Sequence, residues 1–136
     1  MVFLTRVEHF NAAHKLYNPD WDKEKNEEIF GRCANENWHG HNYELFVTVK
    51  AEPDGGTGFV IDAKKLSDII KDRVIEKVDH KNLNVDVEWM NGKICSTENF
   101  VVAIWEALLP ALPSAVQLHS IKLYETPRIF VEYFGK

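Results

Sequence analysis

The order of the predicted elements indicates an α+β fold built on an antiparallel sheet. Segments rich in Val, Phe, Leu and Thr lie toward both ends of the 136-residue chain, and two segments with helical spacing lie between them. Clustered strands with segregated helices favour an antiparallel sheet over alternating strand–helix–strand units. The length suits one domain, and we expect residues 1–136 to form it.

Five stretches have the composition of β-strands. Residues 2–13 and 39–50 are long, and apolar side chains alternate along one face of the second stretch. Residues 58–61 form a short apolar run after the turn sequence Glu-Pro-Asp-Gly-Gly, and residues 116–125 and 129–134 lie on either side of a Thr-Pro pair. We therefore expect a four-stranded sheet from the long stretches and one additional short strand.

Two amphipathic helices are predicted between the strands. Asp62 lies where a helix N-cap belongs, and apolar residues recur at helical spacing over 66–78. The second helix begins near residues 96–98 and is ended by the prolines that start at Pro110. The polar run 22–30 is compatible with a short exposed helix behind an Asp cap.

Composition and charge argue against several classes of protein. Sixteen Lys and Arg residues against 21 Asp and Glu residues give a net charge of −5, whereas nucleic-acid-binding proteins usually carry a basic excess. No apolar run approaches the roughly 20 residues that span a bilayer, and an early charge interrupts any signal-peptide pattern. Two cysteines make no disulfide framework. We expect a cytoplasmic protein with reduced thiols and no membrane or nucleic-acid partner.

Two histidines separated by a glycine form a candidate metal site. Side chains two residues apart in a strand point the same way, so His39 and His41 can hold one ion between them. Catalytic zinc usually takes three protein ligands and leaves one position open. The spacing does not identify the third ligand, for which the sequence offers His9, His14, His80, His119 and Cys33. An exposed histidine pair at the start of a strand is the competing interpretation.

Four further residues carry groups suited to proton transfer or ligand binding. Cys33 lies in a polar segment where a nearby cation would favour the thiolate, although a small buried residue is the competing interpretation. Asp79 and His80 follow a predicted helix and can form a proton relay, or simply a polar helix end. Glu125, late in a strand, can accept two parallel hydrogen bonds from an amidine-like group.

Six short motifs together carry a family resemblance. They occur along nearly the whole chain at 10–14 (FNAAH), 31–33 (GRC), 39–43 (HGHNY), 79–83 (DHKNL), 96–99 (STEN) and 124–126 (YET). In their order and approximate spacing the chain resembles the 6-pyruvoyl-tetrahydropterin synthase family, and HGHNY and DHKNL are the most specific motifs. The chain departs from the family at Asn11, where many members have Ser, and at Trp38, where Gly is common.

The resemblance implies a fold, an assembly and a reaction. Members have the tunnelling fold, in which two helices cover one face of a four-stranded antiparallel sheet. Three sheets join into a barrel, and two trimers stack into a hexamer with active sites at subunit boundaries. The implied reaction converts 7,8-dihydroneopterin triphosphate to 6-pyruvoyl-tetrahydropterin and triphosphate, in tetrahydrobiopterin biosynthesis.

The resemblance also implies roles for individual residues. It implies Zn²⁺ ligands at His14, His39 and His41, catalytic groups at Cys33, Asp79 and His80, and substrate-binding groups at Glu125, Thr97 and Glu98. The thiolate would take a carbon-bound proton, the Asp-His pair would shuttle protons and Glu125 would anchor the pterin. Judged from the residues alone, Thr97 and Glu98 most simply form the start of a helix.

Three other functions stay open. A related branch makes 6-carboxy-tetrahydropterin on the queuosine route and resembles the chain at 58–62. That branch usually has a shorter interval than the five residues found here between Cys33 and His39. A non-catalytic zinc-binding module explains three histidines but not the cysteine, the Asp-His pair and Glu125 together. A thiol hydrolase using Cys33 and His80 leaves the histidine pair unexplained.

Overall fold

A five-stranded sheet forms the centre of the computed structural model, which describes residues 1–136. The strands are β1 Val2–His14, β2 His39–Ala51, β3 Lys81–Asn82, β4 Gln117–Thr126 and β5 Ile129–Tyr133. They lie in the order β3-β1-β2-β4-β5. The four long strands pair antiparallel, which confirms the predicted α+β class, and β3 adds a short parallel strand at the edge beside β1.

The helices are α1 Lys23–Phe30, α2 Ala63–Ile70, α3 Glu76–Val78 and α4 Thr97–Leu108. A π-helical turn, Lys71–Ile75, joins α2 to α3, so the helix predicted after Asp62 continues to residue 78. The side chains of Asp22, Asp62 and Ser96 each accept a backbone N–H at a helix start. These contacts satisfy donors that the first turn of a helix leaves without partners. No helix is both long and apolar enough to cross a bilayer.

The short strand expected at 58–61 is absent, and that prediction is wrong. The preceding loop forms its own hydrogen bonds: the Asp54 carboxylate accepts the N–H groups of Gly56 and Thr57, each at 2.8 Å. The Asp54 N–H in turn donates to the Phe59 carbonyl at 2.8 Å. A short polar side chain that bonds nearby backbone in this way favours a turn over a sheet ladder. The apolar run is explained instead by packing, because Ile61 is buried in the core.

One face of the sheet packs on the core, a cluster of 24 buried residues. Residues directly opposite each other in an antiparallel pair share a face. Toward the end of β1 the opposed pairs on the core face are Phe10 with Tyr43, Ala12 with His41 and His14 with His39. The core face therefore ends in histidines. The opposite face is exposed in the chain and carries apolar side chains such as Phe3 and Phe130.

Candidate metal centre and its surroundings

Three histidines from two strands converge at the end of the core face. One ligand nitrogen of each of His14, His39 and His41 lies within 4.8 Å of the others, and the ring centroids are 4.6 to 5.0 Å apart. The pairing of His14 with His39 brings the third imidazole to the pair. Three converging nitrogen donors match the protein ligand count of a catalytic metal site.

A backbone carbonyl fixes the orientation of the His14 ring. His14 Nδ1 lies 2.7 Å from the carbonyl oxygen of Cys95. Because a carbonyl only accepts, Nδ1 carries the proton and Nε2 presents a lone pair. His14 Nε2, His41 Nε2 and His39 Nδ1 are all buried without a hydrogen-bond partner. Buried polar atoms are rarely left without a hydrogen-bond partner. A bound cation would satisfy the lone pairs of these nitrogens.

Burial favours the neutral form of His14 and His41. Desolvation lowers the pKa of His14, while its bond to the Cys95 carbonyl opposes that shift and the neighbouring histidines add to it. Desolvation also lowers the pKa of His41, against the attraction of Glu125. Neutral imidazole is the metal-binding form. The donor set therefore suits a cation, and this cluster can hold a metal ion.

The Glu125 carboxylate lies against the histidine cluster. Its Oε1 is 3.5 Å from both His14 Nε2 and His41 Nε2. Glu125 follows Ile121 and Leu123 at two-residue steps along β4, so all three share the core face. The Thr97 hydroxyl donates to Oε1 at 2.9 Å. The structure thus places Glu125 beside the histidine cluster, and the hydrogen bond from Thr97 links that residue to the cluster through Glu125.

The two predicted residues at the start of α4 differ in their surroundings. The N-cap is Ser96, whose Oγ accepts the Asn99 N–H at 3.2 Å, so the buried Thr97 hydroxyl is free to reach Glu125. Glu98 is exposed, and its side chain forms no hydrogen bond or ion pair within the chain. Its place in the first helical turn is favourable for a negative charge.

Cys33 lies in a 3₁₀ turn, Gly31–Ala34, near the histidine end of β1. Its carbonyl accepts the N–H of Leu16, two residues beyond His14, at 2.7 Å. The side chain is partly exposed and the thiol is free. No hydrogen bond joins this thiol to Asp79 or His80 of the same chain.

Asp79 and His80 form a hydrogen-bonded pair at the sheet edge. Asp79 Oδ1 accepts the Asn11 N–H at 2.9 Å and lies 3.0 Å from His80 Nδ1. Adjacent side chains usually point apart, but the φ of +59° at His80 turns this pair together. The bond from the Asn11 N–H is the main cause that lowers the pKa of Asp79, and His80 adds to it. The His80 side chain is 77% exposed.

Tyr43 is a residue of this site that is not among the predicted ones. Its ring centroid lies 5.7 Å from that of His41, and its hydroxyl is buried without a partner. Burial raises the pKa of Tyr43, and Glu125 and Cys95 add to the effect. The sequence could have indicated Tyr43, because it lies two residues after His41 and therefore on the same face of the strand. No side-chain pattern could reveal the Cys95 carbonyl.

Comparison with known proteins identifies the family of this chain. Residues 3–136 match the sequence model of 6-pyruvoyl tetrahydropterin synthase. The chain is 40% identical over 127 residues to the 6-pyruvoyl tetrahydrobiopterin synthase of Homo sapiens, covering 93% of this chain and 87% of that protein. It is 39% identical over 135 residues to the Dictyostelium discoideum protein of the same name, covering 99% and 97%. The structure of Caenorhabditis elegans 6-pyruvoyl tetrahydropterin synthase matches with a TM-score of 0.92 and 36% identity, covering 99% and 96%. The chain belongs to the 6-pyruvoyl tetrahydropterin synthase family.

Proposed function

We propose that this chain converts 7,8-dihydroneopterin triphosphate to 6-pyruvoyl-tetrahydropterin with release of triphosphate, as a zinc-dependent carbon–oxygen lyase of tetrahydrobiopterin biosynthesis. The observation that carries the proposal is the cluster of three buried, unpartnered histidine nitrogens that faces the Glu125 carboxylate. The relatives named 6-pyruvoyl tetrahydrobiopterin synthase support an activity of this type.

The donor set favours zinc. Imidazole nitrogen is a preferred zinc ligand, and a three-ligand site leaves a position open for substrate. Zn²⁺ held by His14, His39 and His41 would supply Lewis acidity toward the side-chain hydroxyls of the substrate. The Cys95 carbonyl holds the His14 ring in the tautomer that presents Nε2 to the ion.

Glu125 orients the pterin ring. A carboxylate accepts two parallel hydrogen bonds from the 2-amino group and N3–H of a pterin. The Thr97 hydroxyl donates to Oε1 and so limits the directions that this carboxylate can adopt. A misplacement of about 1 Å can cost about a hundredfold in rate. Glu98, exposed beside Thr97, is a further proposed substrate contact.

Cys33 acts as the base, with Asp79 and His80 as a relay. The thiolate removes the carbon-bound proton beside the ring. Ionised Asp79 accepts the proton of His80 Nδ1, which leaves Nε2 to exchange protons with the substrate hydroxyls and with Cys33.

A neighbouring subunit completes the site. The relay pair lies at an exposed sheet edge, with no hydrogen bond or ion pair to the histidine cluster of its own chain. We infer a homohexamer of two stacked trimers in which the exposed sheet face, with Phe3 54% exposed, becomes buried. Sedimentation at micromolar concentration should then show no major monomer, and a fully active monomer would exclude shared sites.

The single-domain organisation and the cytoplasmic location stay predictions.

Product identification tests the activity. Purified protein is incubated with 7,8-dihydroneopterin triphosphate, and the pterin and phosphate products are separated and identified by mass spectrometry. We expect 6-pyruvoyl-tetrahydropterin and inorganic triphosphate in equal amounts, with activity lost to a chelator and restored by Zn²⁺. Formation of 6-carboxy-tetrahydropterin would assign the chain to the other branch. Bound zinc without turnover would point to the non-catalytic module.

A further inference from the structure

A cavity of about 650 Å³ lies between the end of β1 and the α1 segment and carries three cationic side chains, Lys15, Lys23 and Arg32. Lys15 directly follows His14, and Arg32 directly precedes Cys33. The hydrogen bond between the Leu16 N–H and the Cys33 carbonyl holds these two segments together. The cavity is therefore lined by the chain neighbours of His14 and Cys33, although neither His14 nor Cys33 itself lines it.

The charges of this cavity do not cancel one another. Glu27 lies 3.9 Å from the Lys23 ammonium, so these two groups offset each other. Lys15 and Arg32 form no ion pair with a carboxylate of the chain, and Glu36 is the other acidic residue in the lining. The cavity thus offers two free cations in a protein whose net charge is −5.

Trp38 holds Lys15 in place. The Lys15 ammonium lies 4.6 Å from the centroid of the Trp38 ring and 5.1 Å from that of Tyr17, which are cation–π distances. Trp38 has a φ of +60°, a conformation that is unfavourable for a bulky residue and free for glycine. Its indole N–H is buried without a partner. Trp38 therefore contacts the cavity through the Lys15 side chain that packs on its ring.

We propose that Lys15 and Arg32, with Trp38 and Tyr17 holding the lysine, form a polyphosphate site for the triphosphate of the pterin substrate. The proposal rests on the proposed function, which supplies a substrate with that group. A guanidinium binds phosphate oxygens in a bidentate manner, and an ammonium acts as a compact point charge. Lys15 and Arg32 are the chain neighbours of His14 and Cys33, so a substrate bound at those two residues would extend its triphosphate toward this site.

Binding of inorganic tripolyphosphate to the full-length protein, measured by titration calorimetry, tests the site without turnover. We expect Lys15→Gln and Arg32→Gln each to weaken binding about fivefold or more, because each removes a charge-assisted hydrogen bond. Glu36→Gln should tighten binding. The matched control is Lys25→Gln, since Lys25 stacks on Trp21 at 4.4 Å but does not line the cavity. Equal weakening in Lys25→Gln, or no binding by the unmodified protein at millimolar tripolyphosphate, would overturn the proposal.

A double-mutant cycle tests Trp38 as a positioning residue. Trp38→Gly relieves the positive φ and removes the ring, and we expect it to weaken tripolyphosphate binding in the unmodified background. In the Lys15→Gln background the same change should have little further effect, because the two residues act through one contact. Equal effects in both backgrounds would show that Trp38 does not act through Lys15.

Turnover measurements separate this proposal from the proposed function. Tripolyphosphate binding that depends on Lys15 and Arg32, without turnover of dihydroneopterin triphosphate, would refute the enzymatic activity and leave the anion site standing. Turnover to the expected products with an unchanged KM in Lys15→Gln and Arg32→Gln would refute the anion site and leave the activity standing.

Discussion

The histidine cluster and the Asp79–His80 pair are both groups of titratable side chains, yet the fold places them in opposite surroundings. His14 is 1% exposed and its ring is fixed by a core carbonyl. The His80 side chain is 77% exposed, and beyond their contact with each other the side chains of this pair bond only to the backbone N–H of Asn11 in β1. One chain therefore assembles the three-histidine cluster within its own core and leaves the Asp79–His80 pair exposed at its surface.

The two regions also differ in what controls their protonation. In the cluster, desolvation is the main cause that lowers the pKa values of His14 and His41, which favours neutral donors. At the sheet edge, the hydrogen bond from the Asn11 N–H lowers the pKa of Asp79 and so favours its ionised carboxylate. Burial thus favours the neutral imidazoles of His14 and His41, while hydrogen bonding favours the ionised carboxylate of Asp79.

Replacing His14 should have the largest effect, because it removes a buried donor of the histidine cluster. His14→Ala deletes one donor of the cluster, and we expect metal affinity to fall by more than about a hundredfold, with turnover lost in parallel. Elemental analysis after dialysis measures the first effect. His9→Ala is the matched control, because His9 lies on the same strand with its side chain exposed. Full metal content in His14→Ala would remove this residue from the ligand set.

Removing the Cys33 thiol should separate chemistry from metal binding. We expect Cys33→Ala to retain its metal and lose about 10²- to 10⁴-fold in turnover, the usual contribution of a general base. Cys95→Ala is the control, because burial raises the pKa of Cys95 to about 11 and makes that thiol a poor base at neutral pH. If Cys33→Ala kept more than about a tenth of the rate, His80 would become the candidate base. Loss of metal in Cys33→Ala would instead make Cys33 a ligand.

Mixing two inactive variants tests whether the two regions meet between chains. Cys33→Ala and His80→Ala are each expected to be nearly inactive alone. After joint refolding at equal amounts, about a quarter of the shared sites would combine an intact Cys33 with an intact His80 from a neighbour. Activity should recover to that level. Refolded mixtures no more active than the separate variants would mean that each site uses groups of a single chain.

Acidification should destabilise the metal-free chain through the buried region. The folded-state pKa of His14 is lowered from 6.5, so below that pH the unfolded chain binds a proton that the folded chain does not. The free energy of unfolding should therefore decrease as the pH falls through 6.5 toward the folded-state value. Urea denaturation between about pH 7.5 and 5.5 measures the slope. His14→Asn should reduce this slope and His9→Asn should not; equal slopes in all three proteins would contradict a depressed pKa at His14.

Much of the architecture followed from local patterns. Asp22 and Asp62 stand at helix starts where capping rules place them, and the four long strands follow their apolar composition and alternation. The failure at 58–61 has a local cause as well. The Asp54 side chain bonds the backbone of its own loop, and an apolar run that packs on the core needs no sheet partner.

The sequence by itself determined that His39 and His41 share a face, because the side-chain period of a strand is two wherever the strand lies. The residues alone left five candidates for a third ligand. The register of β1 against β2 decided that His14 meets the pair, since contacts between distant segments depend on strand pairing. The Cys95 carbonyl and the positive φ values of Trp38 and His80 belong to the backbone. Only the tertiary structure decided these backbone features. The packed chain imposes a positive φ on Trp38 and His80, although non-glycine residues favour a negative φ.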